Sequence, residues 1–119
     1  MTHSQRPEPD AGNLFASLPD GRTQEELFEP LLSVPAARIE RSVSTGQITP
    51  PAEWYDQQDD EWVAVLAGAA RLQIEGESTE RQLAVGDWLF LPAHCRHRVT
   101  WTQESPPTVW LAIHVPASR

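Results

Sequence analysis

At 119 residues and 13.3 kDa the chain is the size of one domain, with no room for separate catalytic and regulatory modules. Its formal charge is −8 with a pI near 4.8, and all nine basic residues are arginine; such a surface repels phosphate backbones and anionic lipid, so no nucleic-acid or membrane partner is expected. Hydrophobic residues make up 39%, enough for a core, which excludes a wholly disordered chain.

In chain order, Met1 to Gly12 is polar with two prolines and reads as a disordered tail, because it cannot bury enough surface to offset the entropy of ordering. Residues 13–35 read as an N-terminal arm. Within it Thr23 precedes Glu25 and Glu26, and Leu27, Phe28, Leu31 and Leu32 follow at helical spacing; this predicts one short amphipathic helix over Thr23–Leu32, stopped by Pro35.

From Ala36 the period turns strand-like, with short segments separated by Gly, Pro and Asp turns at roughly the 8–12-residue spacing of an all-β barrel or sandwich. Eight strands are expected: Arg38–Ser44, Ile48–Asp56, Glu61–Leu66, Ala69–Glu75, Thr79–Leu83, Trp88–Leu91, His97–Trp101 and Val109–Val115. Ala70, Leu72 and Ile74 alternate with Arg71, Gln73 and Glu75, the pattern of a strand with one wet side. The last segment is mostly apolar on both faces, and Glu75-Gly76-Glu77 reads as a hairpin tip. The longest apolar run, Val63 to Ala70, falls short of a bilayer span, and the N-terminus lacks an apolar signal core, so a cytoplasmic location is expected. Cys95 is the only cysteine, which leaves no intramolecular disulfide.

Two clusters carry more specific information. The first runs Gly46, Trp54-Tyr55-Asp56-Gln57, Glu61 and Gly68; the second is Gly86-Asp87, Pro92, His94 and His97. Together they resemble the paired motifs of the cupin superfamily, over roughly residues 38 to 115, and the segments WYDQ, EWV, PAHCRHRV and TVWLAIHV resemble uncharacterised bacterial single-domain cupins. The resemblance implies an antiparallel double-sheet (jelly-roll) barrel over residues 36–116, a small-molecule ligand, and a homodimer formed through a sheet.

In that family two histidines and a glutamate of the first motif and a histidine of the second bind a divalent metal. Glu61 matches the glutamate and His97 the second-motif histidine, whereas the places of the first two histidines fall on Tyr55 and Gln57 or on Trp54 and Asp56. Asp56, Glu61 and His97, with His94 as an additional candidate, would make an oxygen-rich site suited to Zn, Fe or Mn. Each residue also has a plainer role. Asp56 suits a turn, Glu61 a rim in the acidic run Asp59-Asp60-Glu61, and His97 a hydrogen-bonded core. Tyr55 and Gln57 could hydrogen-bond a polar ligand in the barrel mouth, and His114 reads either as a packing residue or as pocket lining. The sequence therefore favours a metal-binding barrel, a metal-dependent enzyme on a small polar metabolite or, in the alternative, a non-catalytic binding or sensing protein.

Overall fold

The computed structural model describes residues 7–117. The first half of the expected tail, with His3, lies outside the described residues, and residues 7–12 form neither helix nor strand. Eight strands follow: β1 (Leu27–Val34), β2 (Ala37–Ser44), β3 (Asp59–Ala67), β4 (Ala70–Ile74), β5 (Arg81–Leu83), β6 (Trp88–Leu91), β7 (His97–Thr102) and β8 (Thr108–Pro116). They form two antiparallel sheets, one ordered β1-β2-β8-β3-β6 and one ordered β5-β4-β7. The chain is therefore all-β, as the turn spacing predicts.

The N-terminal helix is not formed; its second half is β1, paired with β2 from Leu27 opposite Val43 to Val34 opposite Ala37. Pro30 supplies a physical reason, since it lacks the N–H a helix interior needs and is tolerated on an edge strand or at a bulge. Both conditions hold: β1 is an edge strand, and its register shifts between Pro30 and Leu32. That shift also explains the misleading period, because a bulge breaks strict alternation and brings Leu27 and Leu32 to one face.

A second difference concerns Ile48–Asp56. Pro50 and Pro51 interrupt it, and it runs beside β7 through single contacts: Thr49 N–H to the Val99 carbonyl (2.9 Å), and a bridge between Tyr55 and His97. Prolines cannot donate to a ladder, so the segment runs along β7 as a strap and not as a strand.

The core lies between the sheets. Val63, Val65, Leu91, Trp110 and Ala112 of the larger sheet meet Ala70, Leu72 and Leu83 of the smaller, with Val99 and Cys95 packed against them. Val65 and Leu72 are almost fully excluded from water, and burying each side chain stabilises the fold by roughly 1.5–3 kcal/mol. Two motif glycines are fixed by backbone geometry. Gly68 has φ +78°, and a Cβ there would approach the Thr108 Cα to 2.6 Å; Gly86 has φ +92° in the turn between β5 and β6, where its N–H donates to the Val65 carbonyl (2.8 Å). On the outer face of the larger sheet, Arg41 donates to the carbonyls of Leu14 (3.0 Å) and Ala16 (2.7 Å), which ties the N-terminal arm to β2.

Candidate functional site

At one end of the barrel the two sheets leave a cavity of about 180 Å³, smaller than the roughly 300–1,000 Å³ of drug-sized sites and so suited to a small metabolite. Its floor is apolar: Val63, Leu72, Leu91, Val99, Trp110 and Ala112. Strand register decides which polar groups join it. Glu61 on β3 is opposite His114 on β8, and Glu40 lies on β2 two residues from the partner of His114, so all three share one face. His97 begins β7 on the facing sheet, and the strap contributes Tyr55 and Gln57.

Hydrogen bonds fix these side chains. His97 Nδ1 is 2.8 Å from the Cys95 carbonyl; a carbonyl only accepts, so Nδ1 carries the hydrogen and Nε2 keeps a free lone pair. The Tyr55 ring stacks on His97 with centroids 5.4 Å apart, and reciprocal backbone bonds of 2.7 and 3.2 Å lock the strap to β7. Gln57 Nε2 donates to Glu61 (3.2 Å), and His114 Nε2 lies 3.3 Å from Glu40 Oε1, the carboxylate accepting. Trp110 Nε1 donates to Ser44 (3.0 Å), and Ser44 donates to Glu26 (2.6 Å). Desolvation pushes the Glu26 carboxyl above the usual carboxylate range, with Glu40 adding to the rise and the Ser44 hydrogen bond opposing it. Burial also raises the Tyr55 phenol, reinforced by the negative charges of Glu26 and Glu61.

Five of the residues singled out from sequence, Tyr55, Gln57, Glu61, His97 and His114, line this one cavity. Asp56 and His94 do not. His94, with φ +65°, is paired with Asp56 at 2.8 Å on the rim, where both side chains are about half or more exposed. The ligand set Asp56, Glu61, His94 and His97 therefore divides into a rim pair and a cavity pair. Among the described residues no group of three or more His, Cys, Asp or Glu side chains is arranged to hold a metal ion, so the four do not converge as one ligand set. Cys95 packs against the core, and burial pushes its thiol up, as suits a small apolar residue more than a ligand thiolate.

Sequence reasoning missed Glu26, Phe28, Glu40 and Ser42, all of which line the cavity. The signal for two of them was present: Glu40, Ser42 and Ser44 alternate with Ile39, Arg41 and Val43. Alternation gives the faces but not which face is inside, and here the polar one points inward.

The chain matches the cupin domain family over residues 40–114. It belongs to the cupins. Among solved structures, this cupin is similar to a Ralstonia eutropha JMP134 protein provisionally named a mannose-6-phosphate isomerase, at 51% identity and a TM-score of 0.88, covering 92% of this chain and 100% of that one. A cupin superfamily protein from Desulfitobacterium hafniense DCB-2 shares the fold at 19% identity (TM-score 0.71, 92% and 94% covered), as does a Streptococcus pyogenes protein of unknown function at 18% (TM-score 0.69, 96% and 93% covered). No curated protein matches the chain. No helix of the described residues is long and apolar enough to cross a membrane.

Proposed function

We propose that this cupin binds a small polar, carbohydrate-like metabolite between its sheets, against Glu40, Glu61, His97 and His114. The observation that carries this reading is the shared cavity: polar side chains from both sheets and from the strap meet over an apolar floor. The test is binding of a panel of small polyols and aminopolyols, followed by heteronuclear NMR of the wild type and of Glu61→Ala and His97→Ala. Shifts concentrated on cavity residues, lost in both variants, are expected; binding that survives both substitutions unchanged would remove the cavity from consideration.

The second reading is a divalent-metal enzyme, with Zn, Fe or Mn. It is supported by the free Nε2 of His97 and the Glu61 carboxylate lining the same cavity, and by the isomerase name of the Ralstonia relative. Elemental analysis of purified protein decides it. Stoichiometric metal that falls away in Glu61→Ala and His97→Ala would establish the metal site this reading requires, and metal-free protein that takes up none on titration would end it. A cytoplasmic setting accords with the single, half-buried Cys95.

A homodimer through the outer face of the larger sheet completes the proposal. Leu32, Ile39, Ile113, Trp62 and Phe90 are register partners in succession, one from each strand, and form an apolar row across that face. A row five strands wide spans roughly 19 Å at the usual strand spacing. The stacked Trp62–Trp88 pair broadens it, and Leu32, Trp88 and Phe90 are each about half exposed. A second copy is the simplest occupant, because a twofold axis makes one apolar row complementary to itself.

A further inference from the structure

Every group lining the cavity can be asked whether it still has a hydrogen to give. Most do not. Trp110 Nε1 is spent on Ser44, the Ser44 hydroxyl on Glu26, one Gln57 amide hydrogen on Glu61, His97 Nδ1 on the Cys95 carbonyl and His114 Nε2 on Glu40. Those same bonds dictate what remains. With Nδ1 protonated, His97 offers a lone pair at Nε2, and with Nε2 donating, His114 offers one at Nδ1. The Nδ1 of His114 is buried without any hydrogen-bond partner, on a side chain only 8% exposed. That nitrogen is shut off from water, whereas His97, only 6% exposed and lining the cavity, has an unmet acceptor at Nε2 that points to a donor brought by a ligand.

The charge agrees with the hydrogen-bond count. Glu26, Glu40 and Glu61 line the cavity and no Arg or Lys does, so nothing there would hold a phosphate. Among the described lining residues the donors left are the second Gln57 amide hydrogen and the Ser42 and Tyr55 hydroxyls, and the hydroxyls can equally accept. From this inventory we propose that the cavity selects ligands carrying a primary ammonium group, over neutral polyols and against phosphate esters. The inference rests on the reading of the cavity as a small-molecule site and adds the chemical class of its ligand. It assigns the ammonium to the space between Glu40, Glu61 and the open nitrogen of His97, with hydroxyls of the ligand on the remaining acceptors.

The test uses three molecules with one carbon chain and different charge: D-glucamine (1-amino-1-deoxy-D-glucitol), D-glucitol and D-glucitol 6-phosphate. Each is titrated into the full chain after chelator treatment and dialysis, at neutral pH and low salt, with heteronuclear NMR and calorimetry as readouts. D-glucamine is expected to shift the His97 and His114 signals and to bind at least about tenfold tighter than D-glucitol, a modest return for one ammonium–carboxylate contact at reduced dielectric. D-glucitol 6-phosphate is expected to bind more weakly than D-glucitol. Raising the salt should erode the preference, and the Glu40→Gln and Glu61→Gln variants should each reduce it, with wild-type data sufficient if a variant fails to fold. Cavity signals that respond to the phosphate as strongly as to the amine would overturn the ammonium assignment while leaving the cavity as a site. If none of the three moves a cavity signal at high millimolar concentration, the site reading itself falls, and the ammonium assignment with it. Binding seen only before chelator treatment would assign the acceptors to a metal instead.

Discussion

At the scale of single residues, the two kinds of glycine in this barrel separate backbone conformation from packing. Gly68 and Gly76 both have positive φ, but a Cβ on Gly76 would meet nothing within 4 Å, whereas one on Gly68 would press on the backbone of Thr108 at 2.6 Å. Gly76→Ala is therefore expected to cost only the conformational term, about 1–2 kcal/mol, and Gly68→Ala to add an overpacking term of about 1–3 kcal/mol. Urea unfolding of the two variants side by side checks the difference. Glu26 gives a pH-dependent counterpart. Its pKa is raised on folding, so its contribution favours the fold below the ordinary glutamate value and is lost as pH rises through the folded value. Glu26→Gln should thus gain stability relative to wild type at neutral pH, and the gain should shrink as pH falls into the carboxylate range. A gap that widens on acidification, in thermal melts across that range, would contradict the burial argument.

At the scale of elements, β1 and β8 mark the extremes. Every residue of β1 is exposed and the strand has one neighbour, while β8 is paired on both sides, with β2 and β3. Amide exchange in β1 should accordingly be faster than in β8 by orders of magnitude, since its opening breaks one ladder and uncovers little apolar area. The same contrast explains how legible the fold was. β8, with Val109 to Val115 alternating against Trp110 to His114, is recognisable because burial on both faces demands apolar residues at nearly every position. β1 is misread because an edge strand is held by its neighbour, and that neighbour is absent from any local pattern. The site divides the same way. Glu61 and His97 stand at motif spacings tied to the fold, whereas Glu26 and Glu40 reach the cavity through pairing of β1 with β2 and β2 with β8. Asp56 falls on a motif position and His94 lies three residues before His97, but neither relation fixes side-chain direction, and the two pair with each other outside the cavity.

At the scale of the whole molecule, the larger sheet has two contrasting faces. The inner one carries Glu40, Glu61 and His114, and the outer one carries the row from Leu32 to Phe90. If the outer row is a twofold contact, Ile113→Glu should leave a folded monomer by light scattering at micromolar concentration where the wild type is a dimer. A wild type that is monomeric under those conditions would remove the dimer.

Ile113 and His114 are consecutive residues of the central strand, one directed to the apolar row and the next to the cavity. A displacement of β8 cannot move one without the other. If the row is a dimer contact and the cavity a ligand site, any shift that self-association imposes on β8 is delivered to the cavity lining one peptide away, and linkage requires the reverse effect to be equal. Ligand affinity measured in dilute and in concentrated protein should then differ, and saturating ligand should move the dimer dissociation constant by the same factor. This barrel would behave less as a container than as a lever with β8 for its arm.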